Sequence, residues 1–177
     1  MIPFLFYIYI FIFGCVIGSF LNVVIYRVPN KLSVSKGYSF CPACHHRLFP
    51  KDLVPVFSWL FLRGKCAYCS APISGRYPLV ELLGGFAFLL SFNRYGIGLN
   101  FIIHALLLCV MLVISFIDID TMEIPDGSHF FILALAFCSY LINQPELSSI
   151  LLGGIVISLP LFLIAWLTHG GIGGGDI

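Results

Sequence analysis

Asp118, Asp120, Glu123 and Asp126 stand within IDIDTMEIPDG, residues 117–127, between two long apolar runs, and make up four of the eight acidic residues of the chain. A further aspartate, Asp176, follows glycines in GGIGGGDI at residues 170–177. Charge at the ends of membrane helices is costly to place, so carboxylates there invite a functional reading. Solvated charges marking a helix end are the competing reading for Asp120, Glu123 and Asp126. Two aspartates brought together can share one proton, because like charges a few ångströms apart do not both ionise cheaply. One carboxylate then takes a proton from water while the other protonates the leaving amide, which is the chemistry of aspartic proteases. Glycines around Asp176 let a backbone come close to an extended peptide.

A second group of chemistry-bearing residues is made of cysteines. Cys41-Pro-Ala-Cys44 and Cys66-Ala-Tyr-Cys69 are CxxC pairs separated by 21 residues. Two such knuckles supply four thiolates for a tetrahedral metal, and the metal would hold together a loop too small for its own core. Structural zinc is the favoured occupant; a redox CxxC is the rival. Four thiolates close the coordination shell, so this metal is scaffold and not catalyst. His45 and His46 lie beside the first pair and are read as loop residues.

The elements that position these groups belong to a membrane protein. The chain is 60% hydrophobic and 10% charged, with a mean hydropathy of +1.05, where a soluble domain carries about 25% charge. Residues 3–26 form an apolar stretch of about the 20 residues that cross a bilayer core, with neither a basic n-region nor a cleavage site. Gly14, Gly18 and Asn22 share one helical face, read as a helix contact with Asn22 hydrogen-bonding across it. Eight of the nine basic residues fall between Arg27 and Arg76, a proline-bearing loop domain over 27–76 that the positive-inside rule places in the cytoplasm. Further apolar segments follow at 77–92, 99–117, 129–143 and 148–167. The fold expected is an all-α polytopic membrane protein of about five transmembrane helices, with a zinc-ribbon-like loop between the first and second. Counting crossings puts the N-terminus outside, and the loop, 118–128 and 168–177 inside. Asp118 and Asp176 thus share the cytoplasmic face. Glu81, about one turn past Pro78, is read as serving the helix dipole. His104 and Pro160 are read as packing and a kink, and Cys15, Cys109 and Cys138 as small buried hydrophobes.

Several stretches, in order, resemble the type IV prepilin peptidase family. The first helix closes with Gly18-Ser-Phe-Leu-Asn-Val-Val-Ile-Tyr-Arg27, then Val28-Pro29. The loop carries the paired CxxC motifs, Ser58-Trp59-Leu60 and Leu62-Arg63-Gly64-Lys65-Cys66, and leaves through Ile73-Ser-Gly-Arg76-Tyr-Pro-Leu-Val-Glu81. Asp118-Ile-Asp120 running to Ile124-Pro-Asp126 resembles the first aspartate motif, and Gly173-Gly-Gly175-Asp176 the GxGD motif. The resemblance implies a bacterial inner-membrane aspartic protease that cuts a short basic leader from prepilins or pseudopilins at the cytoplasmic face. It implies Asp118 and Asp176 as the catalytic pair, with Asp120, Asp126, Gly173 and Gly175 as neighbours. For many members it also implies N-methylation of the new amino terminus with S-adenosylmethionine. Residues 1–26, 27–76 and 77–177 then divide as first helix, four-cysteine loop and protease core. Family members continue past GxGD into further helices, so this sequence reads as C-terminally truncated. The expected partners are prepilin-type substrates and membrane lipid, with no nucleic acid. The alternatives are an inactive zinc-loop membrane protein that binds pilin-assembly partners, a methyltransferase without proteolysis, and a disulfide oxidoreductase.

Overall fold

A computed structural model describes residues 4–167. Within them run helices α1 Phe4–Arg27, α2 Phe57–Phe61, α3 Arg76–Tyr95, α4 Leu99–Thr121, α5 Asp126–Asn143 and α6 Leu147–Leu167, with a 3-10 turn at Pro50–Leu53. No strand occurs among the described residues, only two isolated antiparallel bridges, Phe40–Arg47 and Lys65–Pro72. The chain is all-α, and the five long helices fall where the apolar segments lie. Three of them, α1, α4 and α6, are long and apolar enough to cross a membrane by length and composition. The other two carry polar ends: α3 holds Arg76, Glu81 and Arg94, and α5 opens on Asp126-Gly-Ser-His129. The chain divides into two compact units at Ile132 and Leu133.

In the first unit α1, α3 and α4 pack on one another. Residues Leu21 and Ile25 of α1, Val80 and Phe88 of α3, and Ala105, Cys109 and Ile117 of α4 form its core. The α1–α3 contact is set by glycine. A Cβ added to Gly14 would lie 2.7 Å from the Gly84 carbonyl oxygen, and one on Gly18 would lie 2.7 Å from the Glu81 Cα. Backbones approach this closely in membranes only where small residues face each other. Above that contact the Phe6, Tyr7 and Phe92 rings meet at 5.3–5.4 Å between centroids. The expected face of Gly14, Gly18 and Asn22 is this contact, and the Asn22 side-chain amide donates across it to the Tyr77 carbonyl at 3.0 Å.

Helix ends follow from local chemistry. Pro29 disfavours helix in the residue before it, and α1 ends at Arg27. Gly96 takes a positive φ of 63° just past α3. Met122 closes α4 in the left-handed conformation, its N–H bonded to the Asp118 carbonyl. Helix α4 therefore runs past residue 117 to Thr121, so Asp118 and Asp120 lie in its last turn and not in the following loop.

In the second unit, the rest of α5 joins α6 through Gln144, at φ 41°, and Pro145. Leu151, Val156, Ile157 and Leu167 of α6 are exposed apolar side chains, as a lipid-facing helix requires. Pro160 lies within α6.

Adding a β-branched side chain at the glycine contact should separate α1 from α3. Gly18→Val is expected to destabilise the protein by about 3 kcal/mol or more, since the neighbours that must move are backbone. Gly153→Ala, where nothing lies within 4 Å of the added Cβ, should leave the midpoint unchanged or raise it slightly. Thermal unfolding in detergent would check both.

Candidate functional site

Two sites are built at the same end of the first unit. The first is the four-cysteine cluster. Each knuckle is a tight turn of the same form. The His45 N–H bonds the Cys41 carbonyl at 2.8 Å, and the Ser70 N–H bonds the Cys66 carbonyl at 3.0 Å. In each, the residue after the second cysteine takes a positive φ, 56° at His45 and 58° at Ser70. The Cys41 N–H is held by the His46 carbonyl and the Cys66 N–H by the Ala71 carbonyl, which closes each turn at its bridge. The four sulfurs lie within 4.8 Å of one another, with Cys41 and Cys69 at 3.9 Å. Tetrahedral thiolates at about 2.3 Å from a zinc ion stand about 3.8 Å apart.

The thiols also fit a cation in their protonation. The Cys44 N–H beside its sulfur outweighs burial and brings Cys41 down to about 7. At Cys69 the Ala71 N–H favours the thiolate, but loss of hydration and hydrogen bonds with Cys44, Cys66 and Cys41 outweigh it and push the thiol up to about 12. Four sulfurs this close cannot all ionise at neutral pH unless a metal replaces their protons. The residues therefore fit a metal ion held by Cys41, Cys44, Cys66 and Cys69. His45 stacks on Phe40 and His46 packs against Tyr68, so both belong to the loop's ring packing, as expected.

The loop is held at four points, within itself and to the helices. The Arg27 guanidinium, 8% exposed, donates to the carbonyls of Ser33, Lys36 and Tyr38 at 2.7–3.1 Å and so closes the turn that follows α1. Trp59 donates its indole N–H to the Ile73 carbonyl at 3.0 Å and lies against Gly64, where a Cβ would come within 3.0 Å of the ring. Gly64 also has φ +69°, so this position needs glycine twice over. Asp52 accepts from the Tyr68 hydroxyl at 2.9 Å and the Phe49 N–H at 3.0 Å, joining the stretch before α2 to the second knuckle.

The fourth tie is Glu81. It lies in the second turn of α3, 8% exposed, and its Oε2 accepts the Val56 N–H at 2.7 Å. Its role is thus a cross-link to the loop, not the helix-dipole role expected from its nearness to Pro78. Val56 has φ 63° and ψ −50°, and the Phe57 N–H bonds the Pro55 carbonyl at 2.6 Å. That is a γ-turn of the rare, strained hand, on a β-branched residue. Nothing in the sequence at Val56 signals it. For Glu81 the readable signal is an acid between Val80 and Leu82 in a stretch, residues 78–90, that is otherwise apolar.

The second site is the acidic turn of α4. Asp120 pairs with the Arg76 guanidinium at 2.5 Å, and Arg76 also lies over the Phe116 ring at 5.4 Å. This pair brings the last turn of α4 to the point where the loop enters α3. Asp118 is exposed and, among the described residues, has no ion-pair partner. A carboxylate in the last turn faces the negative end of the helix dipole, so helix stability does not account for it. Asp126 opens α5, where the same dipole favours it. Asp176, Gly173 and Gly175 lie outside the described residues.

Residues 12–95 match the bacterial peptidase A24 N-terminal domain, and residues 105–177 match the type IV leader peptidase family. The cysteine loop falls in the first match and both Asp118 and Asp176 in the second. A prepilin leader peptidase/N-methyltransferase of Bacillus subtilis (strain 168) is 37% identical over 169 residues, covering 95% of this chain and 68% of that protein. One from Myxococcus xanthus (strain DK1622) is 42% identical over 121 residues, covering 68% and 36%. One from Dickeya chrysanthemi is 34% identical over 180 residues, covering 86% and 62%. The chain thus spans between 36% and 68% of the length of these relatives. No solved structure matches it.

The Arg76–Asp120 pair is partly exposed, 30% and 42% at the side chains, so water screens it. Arg76→Ala and Asp120→Asn should each lower the stability by less than about 1 kcal/mol, read from unfolding midpoints in detergent. A loss several times larger would make the pair a structural clamp.

Proposed function

The chain belongs to the type IV leader peptidase family, and on that premise we propose that it is a membrane aspartic endopeptidase that removes the basic leader from type IV prepilins or pseudopilins at the cytoplasmic face. The observation that carries this reading is Asp118, a carboxylate unpaired among the described residues in the last turn of α4, a turn that Asp120 joins to the loop end of α3. Asp118 and Asp176 form the proposed pair. The ionised member takes a proton from water as it attacks the scissile carbonyl, and the protonated member gives one to the leaving amine. Gly173 and Gly175 give the substrate backbone room beside Asp176, and Asp120 and Asp126 flank the pair. The loop would lie in the cytoplasm and the N-terminus outside, which leaves a basic leader on the loop side while the apolar helix that follows it stays in the bilayer. The division into a first helix at 1–26, a loop at 27–76 and a protease core from 77 belongs to the same reading.

The metal proposed for the four cysteines is zinc in a closed structural site. It would staple the loop and take no part in hydrolysis. The relatives are named for N-methyl transfer as well as leader cleavage, and the reading extends to methylation of the new amino terminus by S-adenosylmethionine.

Leader cleavage in membrane extracts tests the pair. Asp118→Asn and Asp176→Asn should each abolish cleavage of a prepilin-type substrate, while Asp120→Asn keeps at least part of it. Full cleavage by Asp118→Asn would sink the assignment, and prepilin binding without any cleavage would favour a binding role instead. Elemental analysis tests the metal. The purified protein should carry zinc in stoichiometric amount, and Cys66→Ser should lose it together with the order of the loop, seen as faster proteolysis between Arg27 and Arg76. Zinc-free protein with intact disulfides would contradict the assignment.

A further inference from the structure

A cavity of about 420 Å³ lies between the loop and the α1–α3 contact, wholly within the first unit. Ser19, Asn22 and Glu81 line it from the helices, and Tyr26, Tyr77 and Trp59 are among its aromatic walls. Glu81 is the group that asks for an explanation. Its carboxylate accepts the Val56 N–H on Oε2 and a hydrogen bond from Ser19. Two oxygens offer about four acceptor positions, so capacity remains. Its charge has no cation within ion-pair distance among the described residues. Arg27 also lines the cavity, but three of its five N–H donors go to the carbonyls of Ser33, Lys36 and Tyr38 and it forms no ion pair with Glu81. Burying a charged carboxylate costs several kcal/mol, which two neutral donors offset only in part and a bound cation would offset further. Aromatic faces around it favour a cation too.

One buried carboxylate within a mostly apolar wall suits a single positive charge on an apolar body. A leader carrying several basic side chains would need more acidic groups, and the other acid at the cavity, Asp52, is engaged by Tyr68 and Phe49. Tyr77 of the wall is also next in sequence to Arg76, whose partner Asp120 is two residues from Asp118. The cavity wall and the acidic turn of α4 are thus joined through the first two residues of α3.

We propose that this cavity seats the free α-ammonium group of a peptide whose first residue is apolar, with Glu81 as its counter-ion and the aromatic walls around its first side chain. The inference rests on the peptidase reading, since removal of a leader ahead of an apolar segment creates such an amino terminus.

The test is direct binding to the whole protein in detergent, without turnover. The probes are a short fluorescent peptide amide beginning with Phe and its N-acetylated twin. The free amine should bind about tenfold more tightly or better, the usual worth of a charge-assisted contact. Glu81→Gln keeps an acceptor for the Val56 N–H and should abolish that difference. Ser39→Trp, which fills the cavity while its backbone carbonyl still accepts the Leu48 N–H, should weaken the free peptide about as much. Metal content and unfolding midpoint confirm that both variants fold; should either fail to, the comparison of the two peptides on the unaltered protein decides alone. Equal affinity for the two peptides overturns the proposal. So does displacement by S-adenosylmethionine without any preference for the free amine, which would assign the cavity to a sulfonium ligand. Selective amine binding without prepilin cleavage would keep the site and remove the peptidase reading. Cleavage that depends on Asp118 without amine selectivity would do the reverse.

Discussion

The close approach of α1 and α3 is the constraint on which the rest of the first unit depends. Gly14 and Gly18 meet Gly84 and the backbone at Glu81 at distances that no Cβ tolerates. Lipid gives helices no hydrophobic reason to associate, so dispersion between touching backbones and a few hydrogen bonds must hold them. The Asn22 amide adds one such bond, to the Tyr77 carbonyl in the first turn of α3, a carbonyl shared with the helix hydrogen-bond ladder. The contact sets where α3 begins, and three polar ties start there: Asn22 to Tyr77, Arg76 to Asp120, and Glu81 to Val56. A shift of α3 along α1 would move all three together.

The loop between Arg27 and Arg76 has no comparable core. Cys41 and Cys66 are its buried apolar side chains, while Leu53, Phe57, Leu60 and Phe61 are exposed. A segment of this size cannot stabilise itself by burial, and its order comes from cross-links of other kinds. Four sulfurs sit at metal-ligand distances, Arg27 gathers three carbonyls, and Trp59 joins α2 to Ile73. The γ-turn at Val56 runs the other way. Its backbone costs of order 1–3 kcal/mol and persists because Glu81 reaches up from α3 to hold the N–H.

The sequence showed these features to different depths. The glycine face and the Asn22 bond were readable because small residues at helical spacing have few other uses in a membrane helix. The four cysteines were readable because spacing alone brings a CxxC turn to one point. Helix ends shifted where a polar residue continued a helix: Asp118 and Asp120 were placed after α4 because acids seldom end an apolar helix, yet they form its last turn. Glu81 was assigned to its own helix because local patterns cannot show a partner 25 residues away. Val56 gave no sign at all, since a strained φ on a β-branched residue is imposed by the surroundings and not by its type. Arg27 looked like a topology signal, and the same charge proved to be a loop-closing donor.

The two sites meet through α3. Its first residue, Arg76, holds the acidic turn of α4, its second, Tyr77, holds α1 and walls the cavity, and Glu81, one turn on, holds the loop. The proposed carboxylate dyad would need its members fixed to a fraction of an ångström, and among the described residues Asp118 has no side-chain ion pair to fix it. Its position comes from the helix, and the helix end is fixed by Asp120 against Arg76. That pair is partly exposed and weak on its own terms, but Arg76 follows directly on a loop clamped by four sulfurs and by Trp59. The four-cysteine loop can thus influence a carboxylate two residues from its nearest tie, because it bears on where the first turn of α3 can be.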